Sequence, residues 1–142
     1  MNKLIFTLAL ICTMPAQADE TWITLNAGSY HVDVKKDYNQ KNYGVGIEHH
    51  IGDFVLTGGM YRNSAYKNSL YAMGGWMPLE IHGVKVGVIA GIANGYPGMN
   101  DGGLIFVAAG VIDFGPINIL IIPSVKDKTP LTIGVQVKLI FL

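Results

Sequence analysis

The closing stretch "PLTIGVQVKLIFL" alternates with period two. Leu131, Ile133, Val135, Val137, Leu139 and Phe141 fall on one face of an extended chain; Thr132, Gly134, Gln136 and Lys138 fall on the other. Successive side chains of a strand point to opposite faces, so the pattern specifies a strand with one apolar face and one small or polar face. A helix would scatter both sets around its circumference. The pattern recurs upstream. Val84, Val86, Val88, Ala90 and Ile92 alternate with Lys85, Gly87, Ile89, Gly91 and Ala93; Tyr43, Val45 and Ile47 alternate with Gly44, Gly46 and Glu48. Glycine is frequent inside these stretches, where it would weaken helices.

Eight such segments occur, at about 21–33, 42–52, 53–63, 68–82, 84–95, 103–113, 116–124 and 129–142. The connections near Ile51–Asp53, His82–Gly83 and Phe114–Pro116 are tight. Those at 34–41, 62–68, 94–102 and 124–130 are longer and more polar. Short and long connections alternate strictly. A soluble sandwich also carries this many strands. The alternation of connections, about 15 residues for each strand with its connection, and an amphipathic last strand with Phe141 near its end favour an outer-membrane barrel. Closure also removes open edges, whose unpaired backbone groups cost several kcal/mol each in lipid. The expected fold is therefore all-β, an eight-stranded antiparallel transmembrane β-barrel.

The start of the chain has a different character. "MNK" is followed by the apolar "LIFTLALICTM", too short to span a bilayer, and by the small-residue pattern "AQA" at Ala16–Ala18. Residues 1–18 are expected to be a cleaved signal peptide, and 19–142 the barrel. Ile11 stands before the single cysteine, Cys12, where a lipoprotein signal would need a small residue. The expected location is the bacterial outer membrane, with both termini in the periplasm, and the expected state is a monomer. Only 14% of residues are charged, with zero net charge. No basic stripe stands out, so nucleic acid is not an expected partner.

Segments five to seven, "VGVIAGIA", "LIFVAAGVI" and "INILII", are apolar on both faces, which implies a partly dry lumen. Two readings follow: a plug of packed side chains, for which eight strands leave just enough room, or a slot for a hydrocarbon chain. In the second, Gly87, Gly91, Gly95 and Gly110 leave the space. Pro78, Pro116 and Pro123 sit in or beside strands, where a missing N–H breaks the ladder; such a break can open the lumen sideways.

Strand directions gather His31, Asp33, Tyr38, Asn39, Asn63 and Ser64 at the mouth bearing the long loops. In "YRNSAYKNS", Ser64 can serve as nucleophile, His31 as general base and Asn63 as a donor to a developing oxyanion. The plainer reading of Asn-Ser is turn chemistry, with side chains capping backbone groups. In "EHH", which resembles a metal cluster, His49 and His50 point to opposite faces; Glu48 and His50 share a face and can form a hydrogen-bonded lumen pair, and no zinc-type spacing exists elsewhere.

Several stretches, in order, resemble the lipid A palmitoyltransferases of the outer membrane (PagP): "DYNQKNYGVGIE", "GGMYRNSAYKNSLYAMGGWMPL", "KVGVIAGIANGY", "FGPINILIIPSV" and the closing "VKLIFL". The resemblance spans roughly Ile23 to Leu142. It implies a tilted eight-stranded barrel with an apolar inner pocket, transferring an acyl chain from phospholipid to lipid A without a cofactor. Its reacting groups would lie at the outer surface, with entry through proline-marked gaps. On it, Gly87, Gly91, Pro78 and Pro123 become substrate-binding positions, Pro123 falling on a gap and Pro78 on a family proline after the Trp. The chain departs from the family at three points. Asn63-Ser64 stands where the family has Asp-Ser. The family's histidine falls near Ala27, four residues before His31 on the same face of a regular strand. Only Asp19 to Trp22 precede the first strand, where the family carries a helix. A non-enzymatic outer-membrane barrel that binds lipid or alters the cell surface is the alternative.

Overall fold

The computed structural model describes residues 19–32, 37–124 and 130–141. The signal-peptide expectation and Asp33 lie outside them. Eight strands form: β1 (Glu20–His31), β2 (Gly44–Ile51), β3 (Phe54–Arg62), β4 (Asn68–Ile81), β5 (Val84–Ala93), β6 (Ile105–Asp113), β7 (Ile117–Ile122) and β8 (Thr132–Phe141). Each pairs antiparallel with the next, and β8 returns to pair with β1, closing the barrel. The expected segments and the observed strands agree to within a few residues.

Tight turns close one end. His82 and Gly83 both have positive φ, 50° and 81°, the pair of left-handed residues a two-residue hairpin loop requires. Gly52 (φ 60°) and Gly115 (φ 91°) serve the other two turns. The long connections gather at the opposite end.

Burial is inverted relative to a water-soluble globule. The buried set includes Thr24, Glu48, His50, Asp113, Asn118, Gln136 and Lys138, whereas Val45, Ile47, Leu56, Val88, Ile92 and Leu139 lie exposed on the outer wall. Aromatic side chains gather near both rims of that wall. Tyr30, Tyr43 and Phe106 stand towards the long loops; Phe54, Trp76 and Phe114 stand towards the tight turns.

The lumen is layered. Near the tight turns, Lys138 Nζ donates to Glu48 Oε1 (3.0 Å) and Asp113 Oδ2 (2.8 Å) and lies 5.0 Å from the Trp22 ring centre. His50 Nε2 donates to the same Glu48 oxygen at 2.6 Å, so the expected pair is formed. Asn118 Nδ2 reaches Glu48 Oε2 at 2.8 Å, and Gln136 Nε2 donates to Asn26 Oδ1 at 2.7 Å. Glu48, His50 and Asp113 could together ligate a cation, but Lys138 already supplies the positive charge between the carboxylates. Above this layer Val55, Met77, Ile89 and Val111 pack together, with Met73, Ala109 and Leu120 against them.

Two of the irregularities in the wall lie beside prolines. The β4–β5 register shifts between Trp76 and Leu79, across Pro78. Among the described residues, the β6–β7 ladder ends at Gly110↔Ile121. Continuing that register would bring Ala108 opposite Pro123, which has no N–H to donate. The outer half of β6 thus has no ladder partner towards β7 among the described residues.

Candidate active site

The last turn of the wall at the long-loop end holds His31 and Ser64 together. Ser64 Oγ lies 2.9 Å from His31 Nε2, close enough to donate its proton when the imidazole carries hydrogen on Nδ1. His31 is 3% exposed, so its ring is held rather than waving in solvent. Tyr38 stacks on it with ring centres 4.7 Å apart and planes 12° apart. Nδ1 is buried without a hydrogen-bond partner among the described residues, so the pair there lacks the orienting third group of a full triad.

A bulge in β1 makes this geometry. The β1–β8 register shifts between Asn26 and Gly28. Trp22, Thr24 and Asn26 line the interior before it; Ser29 and His31 do so after it. Ala27 is exposed. The expectation that Ala27 and His31 share a face is therefore corrected: the extra residue reverses the alternation between them.

Two asparagines place Ser64. Asn39 N donates to Ser64 O (2.9 Å), and Asn39 Nδ2 donates to Asn63 O (3.1 Å). Asn42 Nδ2 donates to Arg62 O (2.9 Å), and Ser29 Oγ donates to Asn42 Oδ1. The segment carrying Asn39 and Asn42 thus straps β1 to the 62–68 turn, while Tyr38 in the same segment braces the imidazole. Neither Asn42 nor Ser29 stood out in the sequence; polar residues in a loop give no sign of what they will tie together.

Asn63 has a different place from the one expected. It is 0% exposed. Its Nδ2 donates to Ser69 Oγ (2.9 Å) and Gly95 O (2.7 Å), and its Oδ1 accepts from Ala65 N (2.9 Å) and Lys67 N (3.0 Å). Both N–H bonds are engaged, so Asn63 builds the turn and has none left for an oxyanion. Tyr61 and Tyr96, whose hydroxyls hydrogen-bond to each other, line the cavity that Ser64 faces. Burial, then the neighbouring Tyr61, raises the Tyr96 pKa above the ordinary phenol range and keeps this hydroxyl a donor.

Asn63→Asp is accordingly expected to weaken the protein rather than improve a site. Ala65 N and Lys67 N would still serve one carboxylate oxygen, but the other would face Gly95 O where a donor now stands, and burying a charge with that oxygen unpaired costs roughly 3 kcal/mol. The conflict ends when the carboxyl is protonated, so its folded pKa lies above the unfolded value of ~3.9. The native state then binds the extra proton, and the variant loses stability as pH rises through and above ~4. Unfolding midpoints at pH 4 and pH 8 check this; equal losses at both would refute it.

The cavity below the pair measures about 120 Å3. Val55, Met73, Met77, Ile89, Val111 and Leu120 give it one apolar wall, and Asn26, Thr57, Asn118 and Gln136 a polar one. The space is narrow and reaches from Glu48 and Asn118 in the charged layer to Ser64 and Tyr96 at the mouth. Gly87 and Gly91 do not line it. A Cβ at Gly87 would strike the β4 backbone at Trp76 and Met77, and one at Gly91 the backbone at Ala72 and Met73. These glycines permit close approach of β4 and β5; they do not hold lumen space open, as the sequence suggested. Pro78 lies on the β4–β5 break and Pro123 beyond the β6–β7 ladder, beside Ile122, which lines the cavity.

No protein-family model matches the chain, and no curated protein matches its sequence.

Proposed function

We propose that this protein is an outer-membrane barrel that transfers an acyl chain from phospholipid to an acceptor such as lipid A, using Ser64 and His31. The observation that carries the reading is the 2.9 Å contact between Ser64 Oγ and His31 Nε2 at the head of a part-apolar cavity. In this mechanism Ser64 Oγ attacks the donor's ester carbonyl carbon as its proton passes to His31 Nε2. The tetrahedral oxyanion accepts a hydrogen bond from the Tyr61–Tyr96 pair. Collapse breaks the bond to the glycerol oxygen, which takes the proton from His31, and leaves an acyl-serine. An acceptor hydroxyl then repeats the sequence in reverse and frees Ser64. No cofactor enters.

The exposed apolar wall with aromatic residues towards both rims supports a lipid setting, since contiguous apolar surface of this extent is unfavourable in water. The stretch of β6 that has no ladder partner towards β7 among the described residues, beside Pro123, offers the chain a lateral way in. The cavity is smaller than the ~150 Å3 that houses benzene in an engineered protein cavity, so roughly half a dozen carbons fit, not sixteen. The transferred chain in this reading is short. The same small volume, with Asn63 where the family has an acid, favours a second reading: a non-enzymatic barrel that holds the end of a lipid chain.

Fractionation and lipid mass spectrometry test these readings together. The protein is expected in the outer-membrane fraction and to migrate differently on gels when unheated, and cells expressing it should carry lipid A with a short added acyl chain. A soluble periplasmic protein would refute the membrane setting. Unchanged lipids with the protein in place would leave the binding barrel.

A further inference from the structure

A second recess lies on the outside of the barrel, at the long-loop end of β2 and β3. It is an open groove of about 560 Å3 on the other side of the wall from the Ser64 cavity, with Tyr61 lining both. Lys41 and Arg62 stand at its upper edge, Tyr43 and Tyr66 flank it, and Val45 and Met60 line its lower part. Val45 and Met60 are cross-strand partners, 48% and 47% exposed. Arg62 N donates to Tyr43 O at 2.9 Å, which holds these two residues side by side on the outer face. The groove thus grades from two cations, through two phenols, to bare apolar wall.

Neither Lys41 nor Arg62 forms an ion pair among the described residues. The Tyr66 hydroxyl donates to Asp37 Oδ1 at 3.3 Å, which fixes the ring's outer edge. Tyr66 also carries a positive φ of 60°, a left-handed conformation that a bulky residue adopts at a cost. The strain falls at an exposed position whose ring flanks the groove, in a turn that Gly would satisfy better.

From this grading we infer that the groove binds a membrane lipid whose headgroup carries a phosphate monoester. A monoester bears about −1.5 to −2 charges near neutrality, which matches two cations; a phosphodiester bears one negative charge and would leave one cation uncompensated. Arg62 can grip two phosphate oxygens at once and Lys41 adds a point charge. The lipid's chain would then lie along Val45 and Met60. Arg62 and Ser64 are two residues apart on one turn, Arg62 exposed on the outer wall and Ser64 facing the cavity. A lipid held in the groove is therefore placed next to the reacting pair, as an acyl acceptor needs to be. The inference rests on the membrane setting proposed above, but not on the acyl transfer.

The test uses the full mature protein inserted into phosphatidylcholine vesicles doped with phosphatidic acid (a monoester) or phosphatidylglycerol (a diester), with retained lipid measured by native mass spectrometry. The wild type should retain phosphatidic acid in preference to phosphatidylglycerol. That preference should grow as pH rises through ~6, where the monoester takes its second charge. Lys41→Gln with Arg62→Gln should reduce retention roughly tenfold or more, as expected for lost charge-assisted hydrogen bonds. Tyr66→Gly should reduce retention while raising thermal stability, because it removes strain along with the ring; this separates binding from folding. Equal retention of the two lipids, or no loss in the double variant, would overturn the proposal while leaving the membrane setting intact. Failure to insert into pure phosphatidylcholine vesicles would overturn both.

Discussion

Ser64→Ala should bring acyl transfer to background while the barrel still folds and migrates normally. The hydroxyl lies at the cavity head and donates to one imidazole, and its backbone O remains free to accept from Asn39 N. The change therefore removes the proposed nucleophile and leaves the strap in place. His31→Ala should slow transfer by roughly 10²–10⁴-fold, the usual contribution of a positioned general base. His31→Gln is the sharper companion, because it keeps a polar group near Ser64 but cannot take up a proton. Lipid profiles by mass spectrometry provide the readout. Profiles identical to wild type in all three variants would end the acyl-transfer reading in favour of a binding barrel.

Lys138→Met should destabilise the barrel by about 3–5 kcal/mol, the usual cost of removing one partner from a buried ion pair. Lys138 is 2% exposed and answers two carboxylates. Without it, Glu48 and Asp113 face one another with only His50 between them; His50 Nε2 lies 2.6 Å from one and 3.8 Å from the other. Adding Glu48→Gln and Asp113→Asn to Lys138→Met removes the stranded charges and should recover most of the loss. Urea unfolding of vesicle-inserted protein measures this. A single variant as stable as wild type, or a triple variant no better than the single, would contradict this account of the layer.

The strands were legible because alternation is a local property. In β8 every second residue, Thr132, Gly134, Gln136 and Lys138, faces inward as its position alone implied. The pairing of His31 with Ser64 was also within reach, since strand direction sends both to the same mouth. What alternation cannot carry is a change of phase. The bulge at Ala27 arises from how β1 pairs with β8, and its effect on His31 exists only in that pairing. The orientation of Gly87 and Gly91 depends likewise on how closely β4 approaches β5. Lys138 meets Glu48 and Asp113 across long separations in sequence, and nothing near any of the three announces the other two.

The pairing of the first strand with the last has a consequence for biogenesis. Ten residues of β1 find partners on β8, from Thr21↔Phe141 to His31↔Thr132. A ribosome delivers β1 well before β8. Until the last strand arrives, β1 and β7 each present a bare edge, and Lys138 is missing from the buried charges it neutralises. Such edges recruit any strand within reach, including one from another chain. A nascent molecule is therefore open to mispairing until β8 is available to seal the ring. Loss of the last segment would cost the molecule its closure and its charge balance together, so truncation there is all-or-none, whereas trimming a long loop is not.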